Sequence, residues 1–214
     1  MTTRHRFAIR LMVSSLAVAF VTSAFSEDRP AAPADVLLAA KYEPIGSEVK
    51  SPSGWQQFCR DWPAECAATV LPARDIVIDA AAWRSIEEVN STVNKTIRPI
   101  TDQLHFGRSE YWTYPQGEKG DCEDFLLLKR RTLMEKGFPR QALLITVVAL
   151  PNGDGHAVLT VRTDKGDFVL DNLRNDIRPW AETGYRFVKR QSQPDPNVWI
   201  ALGNESQKAV ASAR

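Results

Sequence analysis

The stretch Asp121-Cys122-Glu123-Asp124-Phe125-Leu126-Leu127-Leu128-Lys129-Arg130-Arg131-Thr132-Leu133-Met134-Glu135-Lys136-Gly137, with the change of pattern after it, decides the fold. Phe125, Leu126, Leu128, Leu133 and Met134 supply the apolar side of a helix over about 121–136, and Gly137 suits the position just past its end. Beyond Pro139 the period becomes that of extended chain. Residues 142–150 are a continuous apolar run, 151–155 a turn, and 156–162 an alternating strand. Thr163-Asp164-Lys165-Gly166 is a second turn, followed by a strand over Phe168–Asp171. Residues 185–188 and 198–200 read as further strands. Helices first and an antiparallel sheet afterwards predict an α+β domain.

Upstream, Trp83, Ile86, Val89, Val93, Ile97 and Ile100 fall three or four apart, one helical stripe that Pro99 ends. Asn90, Asn94 and Lys95 are assigned to its solvated side. Residues 55–72 read as loop and short helix, and 101–120 as a loop carrying Tyr111-Trp112-Thr113-Tyr114-Pro115. No internal repeat is visible.

With 214 residues the chain suits one domain with a core that needs no disulfide to fold. Arg4, His5, Arg6 and Arg10 precede the apolar stretch 11–24, and Ala24-Phe25-Ser26 places small residues before Glu27. That is the pattern of a cleavable secretory signal over 1–26, whose apolar core is short for a membrane span of roughly 20 residues. Residues 27–41 form a flexible Ala/Pro leader, 42–203 the domain, and 204–214 a polar tail. Removal of the signal takes the formal charge from +1 to −2. No basic stripe with interleaved aromatics appears, which argues against nucleic acid as a partner.

Export leads to a periplasmic, oxidising compartment. A bridge between Cys59 and Cys66 spans a short loop and leaves Cys122 as the odd thiol. Zinc at the pair is the alternative, disfavoured by the spacing and the lack of a nearby histidine.

Cys122, His156 and Asp171 are candidate nucleophile, base and orienting carboxylate. A thiol attacks as its thiolate, and the first turn of a helix offers it partial positive charge and free N–H groups for an oxyanion. If the loop at Asp164-Lys165 has two residues, Val158 opposes Asp171 and His156 becomes its diagonal neighbour. His5 lies in the signal and His105 in a loop without a matching carboxylate, so His156 is the better base. Taken singly, His156 and Asp171 are ordinary strand residues and Cys122 an inert buried thiol. Asp121, Glu123 and Asp124 oppose thiolate formation. Either a cation neutralises them, and oxygen donors suit calcium, or they cap the helix, with Asp121 as N-cap. On the residues alone, capping is the simpler account.

At these motifs the chain resembles the bacterial transglutaminase-like cysteine proteinases, and among them the periplasmic LapG-type proteases that clip surface adhesins. The resemblance runs over roughly residues 55–202. It rests on Trp112-Thr113-Tyr114-Pro115, on Gly120-Asp121-Cys122-Glu123-Asp124-Phe125 with Lys129, on Gly155-His156-Ala157-Val158-Leu159, and on Leu170-Asp171-Asn172. Phe58-Cys59 and Glu65-Cys66 also fit. It implies a papain/transglutaminase-like fold with the nucleophile on a helix N-terminus against an antiparallel sheet. It further implies a triad of Cys122, His156 and Asp171, and calcium at Asp121, Glu123 and Asp124. The implied partners are a large repeat adhesin, cut near its N-terminus to control biofilm attachment, and an inner-membrane cyclic-di-GMP receptor. Acyl transfer to an amine on the same triad, or a non-catalytic periplasmic binding protein, are the competing readings.

Overall fold

A computed structural model describes residues 41–67 and 69–203; the expected signal over 1–26, leader residues 27–40 and tail over 204–214 lie outside the described residues. In chain order come β1 (Ile45–Val49), α1 (Ser53–Asp61), α2 (Pro63–Cys66), α3 (Ala80–Thr96), β2 (Arg98–Pro99) and α4 (Asp102–Phe106). Then follow β3 (Lys119–Gly120), α5 (Cys122–Glu135), β4 (Leu143–Ala149) and β5 (Gly155–Thr163). The chain continues through β6 (Gly166–Leu170), β7 (Arg178–Pro179), β8 (Arg186–Gln191) and β9 (Trp199–Leu202). Seven strands form one sheet in the order β1-β9-β8-β4-β5-β6-β7, every pair antiparallel. The α+β class expected from the pattern is the one observed. Among the described residues no helix is long and apolar enough to cross a membrane.

Alternation along the strands gives the sheet two apolar faces. Leu143 and Ile145 of β4 and Ala157, Leu159 and Val161 of β5 join Phe125, Leu126, Leu127 and Leu133 of α5 in the main core. Trp55 and Phe58 of α1 and Ile86, Val89 and Val93 of α3 complete it. Each such large side chain stabilises the fold by about 1.5–3 kcal/mol on burial. Val148, Val158, Val169, Phe187 and Leu202 form a smaller cluster, and Trp180 and Tyr185 pack against it. β1 was not apparent in the sequence; its register comes from pairing with β9.

The helix stripe is capped by Asp79, whose Oδ1 accepts the N–H groups of Ala81 and Ala82, worth ~1 kcal/mol. Its polar flank differs from expectation. Only Lys95 is exposed; Asn90 is buried and Asn94 half-buried. Asn90 donates to the Asn175 carbonyl at 3.0 Å, and Asn94 to the carbonyls of Asp171 at 2.9 Å and Arg174 at 3.0 Å. That flank is a dock for the chain leaving β6.

Thr163 pairs with Gly166 and Leu159 with Leu170, so the Asp164-Lys165 loop has two residues and the ladder, extended by one pair, sets Val158 opposite Asp171. Lys41, assigned to the leader, is tied to this hairpin by its Nζ, 2.8 Å from the Asp164 carbonyl. A disulfide joins Cys59 and Cys66, and Cys122 is free.

Candidate active site

Cys122 is the first residue of α5, with Asp121 in extended conformation before it. Asp121 does not act as the expected cap, because its side chain bonds no N–H of the helix. Its Oδ2 instead accepts the Asp102 N–H at 3.3 Å, and its buried Oδ1 has no partner. The reason lies in the two-residue parallel pair β2–β3, which joins Arg98 to Lys119 and Pro99 to Gly120. The Ile100 N–H then donates to the Gly120 carbonyl at 3.0 Å. Closing the loop at its base sets α4 beside the start of α5.

Asp102, Asp121 and Glu123 thereby offer carboxylate oxygens within 4.8 Å of one another, as ligands of a metal ion would be. Burial and the Asp121 charge push the Asp102 carboxyl up to about 6 and the Glu123 carboxyl up to about 9. Asp121 is also raised, first by burial. Three carboxylates in one buried place, with one oxygen lacking any partner, fit a hard cation with oxygen ligands. The set differs from the expected one: Asp102 joins it and Asp124 does not. Successive residues on a helix point about 100° apart, and the Asp124 side chain turns to the Thr113 N–H, which it accepts at 3.0 Å. Burial raises the Asp124 carboxyl to about 8. Gly120 makes room for it, since a Cβ there would stand 2.6 Å from the Asp124 side chain.

The Cys122 thiol is half-buried and donates to Glu123 Oε2 at 2.9 Å. Burial and then the Glu123 charge push the thiol well up, against a smaller opposing pull from the Ala157 backbone N–H. His156 lies across the site, its Nε2 2.9 Å from Asp171 Oδ1. Asp171 is buried, and Oδ1 also accepts the Leu173 N–H at 3.0 Å while Oδ2 accepts the Tyr185 hydroxyl at 2.5 Å. Burial alone would raise this carboxyl, but the bonds from His156, Tyr185 and Leu173 prevail and hold it below the usual range. Lys129, buried two turns along α5 from Cys122, is pushed down to about 7 by burial, with Asp171 as the charge that opposes this.

Cys122 and His156 border one cleft of about 210 Å³, together with Trp112, Glu123, Gly155 and Ala157. Glu110 and Lys189 bring one charge of each sign to its walls. The Trp112 indole N–H is committed to Glu110 Oε1 at 2.8 Å. It sits against Gly54 of α1, where any Cβ would collide with the ring at 2.2 Å. The structure thus brings Cys122, His156 and Asp171 into one site, and Asp121 and Glu123 beside it. Asp102 and Tyr185 escaped the sequence reading, since neither lies near a motif.

Residues 45–207 match the family described as bacterial transglutaminase-like cysteine proteinase (BTLCP). Similar solved structures are those of Legionella pneumophila LapG. The EGTA-treated form is 28% identical, covering 57% of this chain and 68% of that chain at a TM-score of 0.48. The calcium-bound form is 24% identical, covering 62% and 80% at a TM-score of 0.48. A third LapG structure is 28% identical, covering 61% and 76% at 0.48. No curated protein matches the chain. The family match takes in β1, both halves of the cleft and β9, and the chain belongs to the bacterial transglutaminase-like cysteine proteinases.

Proposed function

We propose that the chain is an exported, calcium-dependent cysteine endopeptidase working through Cys122, His156 and Asp171. The observation that carries this is the His156 Nε2 contact with Asp171 at 2.9 Å, made beside a cleft that Cys122 shares. With Nε2 turned to the carboxylate, Nδ1 is the ring nitrogen left for the thiol. Cys122 yields its proton to His156 and Sγ attacks the scissile carbonyl. Asp171 fixes the tautomer and stabilises the imidazolium. The Cys122 backbone N–H, at the start of α5, faces the developing oxyanion. His156 then protonates the leaving amine, and water, deprotonated by the same imidazole, releases the acyl group from sulfur.

Asp102, Asp121 and Glu123 are the residues that would hold calcium; Asp124 supports them from the Thr113 side. The ion supplies the positive charge that lets neighbouring carboxylates stay ionised together. Exchanging Cys122 for Ala should abolish cleavage, a loss on the order of 10⁴-fold or more. Excess chelator should do the same to the unaltered protein, with recovery on adding calcium. Cleavage that survives the Cys122→Ala exchange overturns the mechanism, and cleavage that survives chelation overturns the calcium requirement.

The same proposal places the protein in the periplasm, cutting a large repeat adhesin near its N-terminus under the control of an inner-membrane cyclic-di-GMP receptor. Three things support it: the basic-then-apolar start of the sequence, a disulfide suited to an oxidising compartment, and the motif likeness to LapG-type proteases. An N-terminal adhesin fragment incubated with the protein and calcium should be cut at one place. A fragment that stays whole removes the adhesin from the proposal.

A further inference from the structure

Asp171 has two carboxylate oxygens and they are held differently. Oδ1 takes His156 Nε2 and the Leu173 N–H, whereas Oδ2 takes the Tyr185 hydroxyl at 2.5 Å. A carboxylate fixed through one oxygen still pivots about its Cβ–Cγ bond, and a pivot would carry Oδ1 away from the imidazole. A second bond on the far oxygen stops that motion. Tyr185 does more than cap an acceptor, because its ring also meets the His156 ring edge-on, centroids 6.0 Å apart at 82°. One side chain therefore bounds both partners of the pair.

We propose that Tyr185 is a positioning residue for the reaction, holding Asp171 in the orientation that steers His156. This rests on the reading of Cys122, His156 and Asp171 as the reacting groups. The local chain is built to present it. Gly184 has φ +75°, a left-handed conformation that favours glycine. Thr183 Oγ1 accepts the Tyr185 N–H at 3.2 Å while donating to the Trp180 carbonyl at 2.8 Å. The turn delivers Tyr185 to the sheet face occupied by Val158 and Val169, where it packs against their cluster. Tyr185 is not among the residues that border the cleft. It reaches the reaction through Asp171 and has no direct hold on substrate.

The Tyr185→Phe variant removes the hydroxyl and leaves the ring against His156. With the adhesin fragment cut by the wild type, kcat should fall on the order of tenfold, about one lost hydrogen bond to a buried charged acceptor. KM should stay the same. In an Asp171→Asn background the same exchange should cost nothing further, because the group it acts through is already disabled. Thermal melting shows whether each variant is folded at the assay temperature. Incorporating 3-fluorotyrosine at 185, which keeps the hydroxyl, should restore kcat to within a few-fold of wild type. The inference is overturned by an unchanged kcat in Tyr185→Phe, by an equal loss in both backgrounds, or by a change in KM alone. If Asp171→Asn itself keeps wild-type kcat, the catalytic reading fails first and the role of Tyr185 falls with it, an outcome distinct from the others.

Discussion

The single buried acid that holds His156 and the three acids beside Cys122 are finished to different degrees. Asp171 has both oxygens occupied by donors, and a buried lysine, Lys129, nearby. Its carboxyl is held below the usual range. Asp102, Asp121 and Glu123 crowd together with their carboxyls raised, and Asp121 Oδ1 has no partner. The Tyr111 N–H serves Asp102, and the Cys122 thiol serves Glu123. Burial works against charge in both places. What differs is whether the protein itself supplies the compensating donors. Around Asp171 it does, so the anion is a permanent part of the fold. Around Glu123 it does not, and the missing positive charge is one that an ion can bring.

This contrast sets the sign of each perturbation. Among the changes to these acids, Asp171→Asn has the largest expected effect, a loss of kcat on the order of 10³- to 10⁴-fold with the fold retained; full activity in a steady-state assay would erase the contrast. Asp102→Asn should weaken calcium binding by roughly 10–100-fold in a titration followed by calorimetry. In chelator the same variant should melt a few degrees higher than wild type, because the charge of Asp102 no longer opposes that of Asp121. A lower melting point would mean that the three acids already compensate one another. Asn94→Ala strips donors from the Asp171 and Arg174 carbonyls and should destabilise by about 1–3 kcal/mol, read from denaturant unfolding.

The last effect concerns Lys129 and depends on pH. A lysine held at about 7 in the fold titrates near 10.4 in the unfolded chain. Between those values the unfolded chain binds the proton and the fold does not. Wild-type stability from this group is therefore present at high pH and lost as pH falls toward 7. Lys129→Met escapes that loss. Its melting temperature relative to wild type should rise by roughly 7–14 °C between pH 10 and pH 7. A difference independent of pH would show that Lys129 keeps its proton in the fold.

The stripe from Trp83 to Ile97, the strands after Pro139 and the two-residue loop at Asp164-Lys165 were legible because periodicity and turn chemistry are local. The pairing of His156 with Asp171 followed from that loop, as register follows from turn length. Asn90 and Asn94 misled because a polar residue beside an apolar stripe normally meets water; here it meets the carbonyls of another loop. Asp124 stands outside the group of three for a related reason. Adjacency in sequence suggested one shared site, while helical geometry sends Glu123 and Asp124 in different directions. Asp102 was out of reach altogether. Nineteen positions separate it from Asp121, and no period or turn signal records a backbone pairing of two residues.

That two-residue pairing, Arg98 with Lys119 and Pro99 with Gly120, carries a consequence for variation. A loop clasped at its base transmits little of what happens at its tip. Residues 107–109 are exposed, and Gly107 has the left-handed backbone of a tight corner. Insertions or deletions in that tip leave the spacing between Asp102 and Asp121 unaltered as long as the clasp holds. The rim of the cleft is thereby free to diversify in length while the acidic pocket beneath it keeps its dimensions.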